Sequence, residues 1–328
     1  MANYSYFFKK AIGKGLLLLL GTVILISLTS QSIRSDDNQP TGDSEFDYSC
    51  IDIPSSMEFC GTTIDLTRFD RRERMDRELL AFRYMHSTSL QIIKRANRYF
   101  PIIEPILQAN GIPDDFKYLM AIESNVNPLA RSVAGAAGLW QLMPGTARDF
   151  DLEVGNHVDE RYHIEKSTQA ACKYLKQAYS RFHNWETVAA SYNAGQGRIS
   201  QQMEKQYVDN ALDLQLVEET ARYTYRILAA KLLLTAPQKF GFYLKASDLY
   251  PPIPYRTITV TESIDDLPRF AKSQNINYAL LRNLNPWIRS TSLPCHGNKK
   301  YTLKIPDKEG MVYNPRVIMP HDPNWVTQ

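Results

Sequence analysis

Glu123 is the residue of this chain whose type and spacing most clearly suggest chemistry. It follows Phe116, Leu119 and Met120 by seven, four and three residues, so on a helix all four side chains share one face. A carboxyl group on an apolar face loses solvation, which raises its pKa. Such a group can act as a general acid near neutral pH, although a Glu on a helix more often forms a salt bridge or caps a turn.

Small residues follow this helix, from Ser132 through the glycine- and alanine-rich stretch 135–138. Small side chains let a bulky ligand approach the backbone, although they also serve tight turns. Trp140 and Gln141 come next and offer an aromatic surface and an amide, which suit a flat polar ligand such as a sugar. We therefore expect a ligand groove beside Glu123.

Three motifs in this region resemble the soluble lytic transglycosylases of glycoside hydrolase family 23. The first is the string Glu123–Ala130 with Ser132 and the sequence GLWQLMPGT at 138–146; the second is AASYNAG at 189–195; the third is ETARY at 219–223. The helical pattern before them, from Arg71 to Tyr99, is similar to that of a membrane-bound branch of the family. The resemblance covers about residues 50–310.

The resemblance implies a lysozyme-like, mainly helical fold that cleaves peptidoglycan between N-acetylmuramic acid and N-acetylglucosamine. It places Glu123 at the position of a single catalytic acid and base. It implies that the glycan strand is bound by Ser132, Gln141, Met143, Tyr192, Asn193 and Tyr223. For Met143 and Tyr223, plain packing is the alternative. No cofactor is expected.

A single carboxylate in the motifs constrains the reaction, because glycosidases commonly use two. The resemblance implies that the muramic 6-hydroxyl takes the place of a second group and leaves a 1,6-anhydro end. One alternative is a lysozyme-type hydrolase, which would need a water molecule and a second acid, with candidates at Asp149, Asp151, Glu153, Asp159 and Glu160. The other is a non-catalytic glycan-binding protein of the cell wall, which has no need of a buried acid.

The hydrophobic period changes after the proline-rich stretch 251–254. Strand-like alternation at Arg256–Val260 and Tyr301–Ile305 encloses two short helical patterns, at Ile264–Ser273 and Tyr278–Leu284. This small α+β unit, in the order βααβ, resembles a LysM domain, which binds glycans containing N-acetylglucosamine. Because Glu262 and Ser263 replace a Gly–Asp pair and the stretch 287–300 is long, a structural or docking role is the alternative.

The remaining elements predict a mainly α protein built around the site. Helical patterns precede it from Leu66 to Asn110 and follow it at Thr168–Tyr179, Trp185–Tyr192 and Leu214–Leu234. The predicted organisation is a signal peptide or N-terminal anchor (1–32), a tether (33–65), an N-terminal helical region (66–110), a lysozyme-like domain (111–240), a LysM-like module (255–307) and a tail (308–328). We expect the part before about Tyr250 to fold without the remainder.

Charge and the N-terminus restrict the partners and the compartment. The 328 residues carry a net charge of +3, from 38 basic and 35 acidic side chains, so no nucleic acid partner is expected. Lys9, Lys10 and Lys14 precede an apolar run at 15–28, a pattern typical of a secretory signal or a membrane anchor. We therefore expect an exported protein, periplasmic or membrane-anchored, that faces the cell wall.

Cysteine and histidine spacing gives less information. Cys50 and Cys60 are close enough in sequence to close a small oxidised loop, and Cys172 fits a buried apolar position. The six histidines have neither the HExxH pattern nor paired spacing, so no metal site is expected.

Overall fold

A computed structural model of the chain describes residues 50–327. The predicted signal or anchor at 1–32, and the first part of the predicted tether, lie outside these residues. Within the described part, no helix is both long and apolar enough to cross a membrane.

The described chain is mainly helical, as predicted. It begins with strands β1 (Ser56–Phe59) and β2 (Thr62–Asp65) and continues through helices α1 (Phe69–Tyr84), α2 (His86–Ala109), α3 (Phe116–Ser124), α4 (Pro144–Asp149), α5 (Ile164–Phe182), α6 (Trp185–Ala194), α7 (Gln196–Gln206), α8 (Glu218–Ala221) and α9 (Tyr223–Thr235). The C-terminal unit then forms β3 (Tyr255–Val260), α10 (Leu267–Ser273), α11 (Tyr278–Leu284) and β4 (Tyr301–Pro306). This order confirms the βααβ prediction for the module.

Two segments differ from the sequence prediction. The tether was predicted to reach residue 65, but β1 and β2 pair antiparallel, with Phe59 opposite Thr62, and bury Phe59 and Ile64 in the core. Each strand contributes so few inward apolar residues that no alternating pattern is visible. Helix α7 was also not predicted, because its residues are mostly polar and only Ile199 is buried.

Helix α9 lies inside the helical core. Its buried residues cover all sides of the helix, which is typical of a helix enclosed by others. Helix α3 packs beside it and presents Phe116, Leu119 and Met120, each fully buried. The apolar face that the spacing predicted for the Glu123 helix is therefore confirmed.

An ion pair joins the start of α3 to the far end of α9. The Lys231 ammonium lies 2.8 Å from Asp115 Oδ1, and the Cys60 backbone N–H donates to Asp115 Oδ2 at 2.7 Å. The β1–β2 hairpin and α9 therefore both contact the carboxylate of Asp115, at the start of α3. Cys60 and Cys50 are both free thiols, and burial is the main cause that raises the pKa of the Cys60 thiol.

The C-terminal unit packs directly on the helical part. Strands β3 and β4 pair antiparallel, and the core of the unit includes Val158 and Tyr162 from the segment before α5. The Trp287 ring stacks between His163 and Tyr301, at centroid distances of 5.8 and 5.5 Å. The first part of the long stretch 287–300 thus contacts the helical domain.

The tail, which has no sequence pattern, returns to the helical core. Trp325 is 1% exposed, its indole N–H donates to the Leu234 carbonyl, and its ring lies 6.1 Å from that of Phe100. Next to it, Val326 forms a parallel bridge with Leu244. This packing argues against the expectation that residues before Tyr250 fold alone, because a cut there also removes Trp325 from the core.

The loop between α3 and α4 depends on one close backbone approach. Gly138 has φ of +78°, and a Cβ atom at this position would lie 1.9 Å from the Arg161 carbonyl oxygen. Arg161 in turn is buried, pairs with Asp159 at 2.7 Å, and donates to the carbonyl of Gly135 at 2.7 Å. The glycine-rich stretch is thus shaped by packing on the segment 159–162.

Replacing Trp325 with Ala should lower the free energy of unfolding by about 3–5 kcal/mol, because it empties a buried aromatic site. Chemical denaturation followed by circular dichroism measures the change. Met319→Ala is the control, since Met319 lies in the same tail but is 78% exposed and should change stability by less than about 0.5 kcal/mol. Equal effects of the two changes would contradict the packing of the tail.

Gly138→Ala should destabilise the protein by more than about 1 kcal/mol, because the new methyl group meets backbone at a positive φ. Gly145→Ala is the matched control: Gly145 is in α4, and no atom lies within 4 Å of the added Cβ. There the change should be neutral or stabilising. Thermal unfolding of both variants decides whether the close approach exists.

Candidate active site

Glu123 is in the last turn of α3, beside an abrupt change of chain direction. The helix ends at Ser124; the next residue, Asn125, adopts the left-handed conformation with φ of +51°, and Val126 follows with φ of +53°. Positive φ is rare for a β-branched residue, and such backbone is held only where the surroundings enforce it. Val126 is fully buried, so packing fixes the turn and with it the position of Glu123.

The carboxyl group of Glu123 has a strongly shifted acidity. Burial is the main cause that raises its pKa to about 7, and the charge of Glu219 acts in the same direction. The hydrogen bond from Tyr223 and the charge of Arg226 oppose the shift. Near neutral pH the neutral and ionised forms therefore coexist, so the group can both give and take a proton.

Tyr223 joins the first residue of α9 to Glu123. Its hydroxyl donates to Oε1 of Glu123, and the ring is 4% exposed. Burial, followed by the Glu123 charge, raises the pKa of Tyr223 well above its usual range. Tyr223 is therefore a fixed donor to one carboxyl oxygen, and the second oxygen, Oε2, is left to carry the acidic proton.

The loop after α3 is held in shape by two side chains that were predicted to bind the glycan. The Gln141 amide donates to the carbonyls of Ala130 and Gly138 at 3.1 and 2.8 Å, and Gln141 itself has φ of +46°. The Ser132 hydroxyl accepts from the Ala136 backbone N–H at 3.0 Å. Both residues shape the loop, and Ser132 is also exposed to solvent.

Helix α6 contributes the other side of the site. The Tyr192 hydroxyl donates to the Trp140 carbonyl at 2.7 Å, and burial raises the pKa of Tyr192 well above its usual range. Tyr192, Gln141 and Met143 line a small pocket of about 70 Å³ together with Leu142, Thr146 and Tyr174. Asn193 is exposed and accepts from the Thr220 hydroxyl at 3.0 Å.

The structure divides the predicted glycan-binding residues into three groups. Tyr223 contacts Glu123, and Gln141, Met143 and Tyr192 line the small pocket. Ser132 and Asn193 are exposed to solvent. Trp140 was expected to offer an aromatic surface to a ligand, and this is wrong. Its ring is fully buried and its indole N–H donates to the Thr168 hydroxyl at 2.9 Å, so it belongs to the core.

The predicted candidates for a second acid have other partners. Asp151 pairs with Lys173, Glu153 with Lys299, Asp159 with Arg161 and Glu160 with Lys166, while Asp149 is exposed. The carboxylate that acts on Glu123 is Glu219, which the sequence argument did not single out. The third motif contained a signal for it. Glu219 and Tyr223 are four residues apart, a spacing that places two side chains side by side on a helix.

Two family models match the chain. Residues 100–214 match the transglycosylase SLT domain, and residues 256–309 match the soluble lytic transglycosylase C-terminal LysM-like domain. The first match contains Glu123 and ends before Tyr223, so the hydrogen bond between them links the matched region to a helix beyond it.

The chain is similar to parts of several lytic transglycosylases. It is 26% identical over 231 residues to membrane-bound lytic murein transglycosylase D of Escherichia coli K12, covering 69% of this chain and 50% of the relative. It is 38% identical over 90 residues to the soluble lytic murein transglycosylase of Salmonella typhimurium, covering 25% and 14%. The structure of the 70 kDa soluble lytic transglycosylase SLT70 from Escherichia coli aligns with a TM-score of 0.35 at 23% identity, over 42% of this chain and 24% of that one.

The chain thus spans about half the length of the first of these relatives. The sequence motifs, the βααβ unit and both family matches agree along the chain. It carries a transglycosylase SLT domain followed by a LysM-like domain, and it is homologous to membrane-bound lytic murein transglycosylase D.

Proposed function

We propose that this protein is a peptidoglycan lytic transglycosylase in which Glu123 is the single catalytic acid and base. The observation that carries the proposal is the state of Glu123: a carboxyl group within the SLT match, on a buried face, with its pKa raised to about 7. A general acid works best when its pKa is near the working pH. The lytic murein transglycosylase relatives support the choice of murein as substrate.

The reaction begins with neutral Glu123. Its proton passes to the glycosidic oxygen as the bond to the muramic C1 breaks, and the N-acetylglucosamine end leaves as an alcohol. The substrate's acetamido group stabilises the anomeric carbon. Ionised Glu123 then takes the proton of the muramic 6-hydroxyl as this oxygen bonds to C1. The products are a 1,6-anhydro end and a regenerated acid, and no water is consumed.

Tyr223 stabilises Glu123 after it has given up its proton. Its hydroxyl donates to Oε1, and a hydrogen bond to a carboxylate stabilises the charged form between the two proton transfers. Gln141, Met143, Tyr192, Ser132 and Asn193 would contact the glycan strand along the groove. The buried pair of Arg161 and Asp159 would keep the loop that carries Gln141 in place.

The LysM-like module is proposed to act first as a support for this groove. Trp287 and Tyr162 belong to one buried cluster between the module and the helical part, and Arg289 lies 4.3 Å from the centre of the Tyr162 ring. The Trp287 carbonyl also accepts a hydrogen bond from the backbone N–H of Asp159, the partner of Arg161. Glycan binding would be a second role of the module.

The N-terminal segment supports a location at the cell wall. Its basic residues followed by an apolar run, at 1–28, favour export, with the segment either cleaved as a signal peptide or kept as an anchor.

A lysozyme-type hydrolase remains the second candidate because Glu219 acts on Glu123. A hydrolase would use such a carboxylate to position or activate water, and Glu219 is exposed in α8. The two functions differ in whether water enters the product. A non-catalytic glycan-binding protein is less consistent with an acid whose pKa lies near neutrality.

Digestion of purified peptidoglycan in heavy-oxygen water separates these functions. Wild-type protein should release 1,6-anhydromuramic ends without the label, detected by mass spectrometry. Glu123→Gln should slow release roughly 10²–10⁴-fold, since the amide cannot exchange the proton. Glu204→Gln, an exposed carboxylate on α7, is the control and should behave as wild type. Label at the muramic end would identify a hydrolase and make Glu219 the residue to replace next.

The cleavage rate should fall as the pH rises through about 7, because only neutral Glu123 can start the reaction. Tyr223→Phe removes a hydrogen bond that lowers this pKa, so the alkaline decline should move to higher pH while the rate falls. Initial rates on solubilised glycan strands across the pH range test both statements. A rate that stays constant from neutral to alkaline pH would contradict the role of Glu123 as acid.

A further inference from the structure

A buried carboxylate outside both matched regions lies against the helix that carries Tyr223. Glu78, in α1, is 2% exposed. Its Oε2 accepts a hydrogen bond from Arg226 Nε at 2.9 Å, and its Oε1 lies 2.7 Å from Arg222 Nε. One fully desolvated negative charge is thus shared by two guanidinium groups, one on each side of Tyr223 in the chain.

One of these two arginines, Arg226, also acts on Glu123. Arg226 is three residues after Tyr223, so both side chains lie on neighbouring positions of α9. The charge of Arg226 acts to lower the pKa of Glu123. Glu78 and Glu123 are therefore two carboxylates that compete for one cation.

Arg226 has room to change partners. It lines a cavity of about 450 Å³ bordered by residues of α1, α2, α3 and α9, together with Glu78, Arg222, Ile122 and Asn125. Ile122 and Asn125 are close neighbours of Glu123 in the chain, so the cavity borders the end of the helix that carries the acid. The attraction between opposite charges weakens with distance, so the 2.9 Å contact with Glu78 favours the observed position of Arg226.

We propose that Glu78 is a positioning residue of the site: it holds the Arg226 guanidinium away from the Glu123 carboxyl and fixes the start of α9, from which Tyr223 reaches Glu123. The inference rests on the proposed function of Glu123 as an acid. It also gives α1, which lies before the SLT match, an indirect part in the chemistry.

The groups that face Glu123 come from three elements. Tyr223 and Arg226 come from α9, Glu219 from α8, and Tyr192 from α6. Of these, Arg226 supplies the positive charge. A free guanidinium beside Glu123 would favour the ionised form and remove the proton that the first step needs. The pairing of Arg226 with Glu78 therefore controls how much of the acid is ready to react.

Two measurements test the proposal. Carbon NMR of labelled glutamate follows the titration of Glu123, and the Glu123→Gln variant identifies its signal. Cleavage rates across the pH range are measured in parallel. Glu78→Gln keeps volume and hydrogen-bonding atoms but removes the charge. The midpoint of Glu123 and the alkaline decline of the rate should both move down by about one pH unit or more. Adding Arg226→Gln to this variant should return both to the wild-type value or above it.

Glu104→Gln is the matched control. Glu104 is also a partly buried carboxylate with two basic neighbours, Lys117 at 2.8 Å and His321 at 2.9 Å, but it does not act on Glu123. It should leave the Glu123 midpoint unchanged. Thermal unfolding verifies that each variant is folded.

Arg226→Gln alone decides the matter if Glu78→Gln does not fold, because Glu78 then keeps Arg222 as partner. Its Glu123 midpoint should move up, and the double variant should match it. A folded Glu78→Gln protein that is slower but titrates as wild type, or a double variant whose midpoint stays as low as that of Glu78→Gln, overturns the proposal. The NMR titration needs no turnover, so a shifted midpoint in a protein that forms no anhydro ends would refute the proposed function and leave the pairing intact.

Discussion

The structure depends on the antiparallel pairing of α3 with α9, which is joined at both ends by polar side chains. Tyr223 donates to Glu123 at one end, and Lys231 pairs with Asp115 at the other. Asp115, directly before α3, and Glu123 are eight residues apart, as are Tyr223 and Lys231 on α9, so the two contacts set both the register and the direction of the helices. Between them Phe116, Leu119 and Met120 are buried, and this burial desolvates Glu123.

Desolvation of an acid is costly, and the surroundings of Glu123 limit that cost. Burial pushes the carboxyl toward its neutral form, while the Tyr223 hydroxyl and the Arg226 charge pull it back toward ionisation. The result is an acidity near neutrality, which either influence alone would not produce. The site is therefore a balance between opposing effects, and it reaches as far as α1, because Arg226 donates a hydrogen bond to Glu78 in that helix.

The other wall of the site is supported from outside the helical core. Gly138 packs on the Arg161 carbonyl, Arg161 pairs with Asp159, and the Asp159 backbone N–H donates to the Trp287 carbonyl of the C-terminal unit at 2.8 Å. The LysM-like unit is thereby mechanically connected to the loop that carries Gln141. The tail continues this connection, because Trp325 enters the core next to α2 and α9.

The sequence by itself determined the local structure. Spacing placed Glu123 on the apolar face of a helix, and the change of period located the βααβ unit with strand limits that agree with the structure to within one residue. Both are properties of consecutive residues. The tertiary structure alone decided that Tyr223, a hundred residues away, donates to Glu123, that Glu78 holds Arg226, that Trp140 is buried and that Trp325 completes the core. These contacts join distant segments, and a single Tyr, Glu or Trp has no period from which its partner could be inferred; only the packing of the helices brings them together.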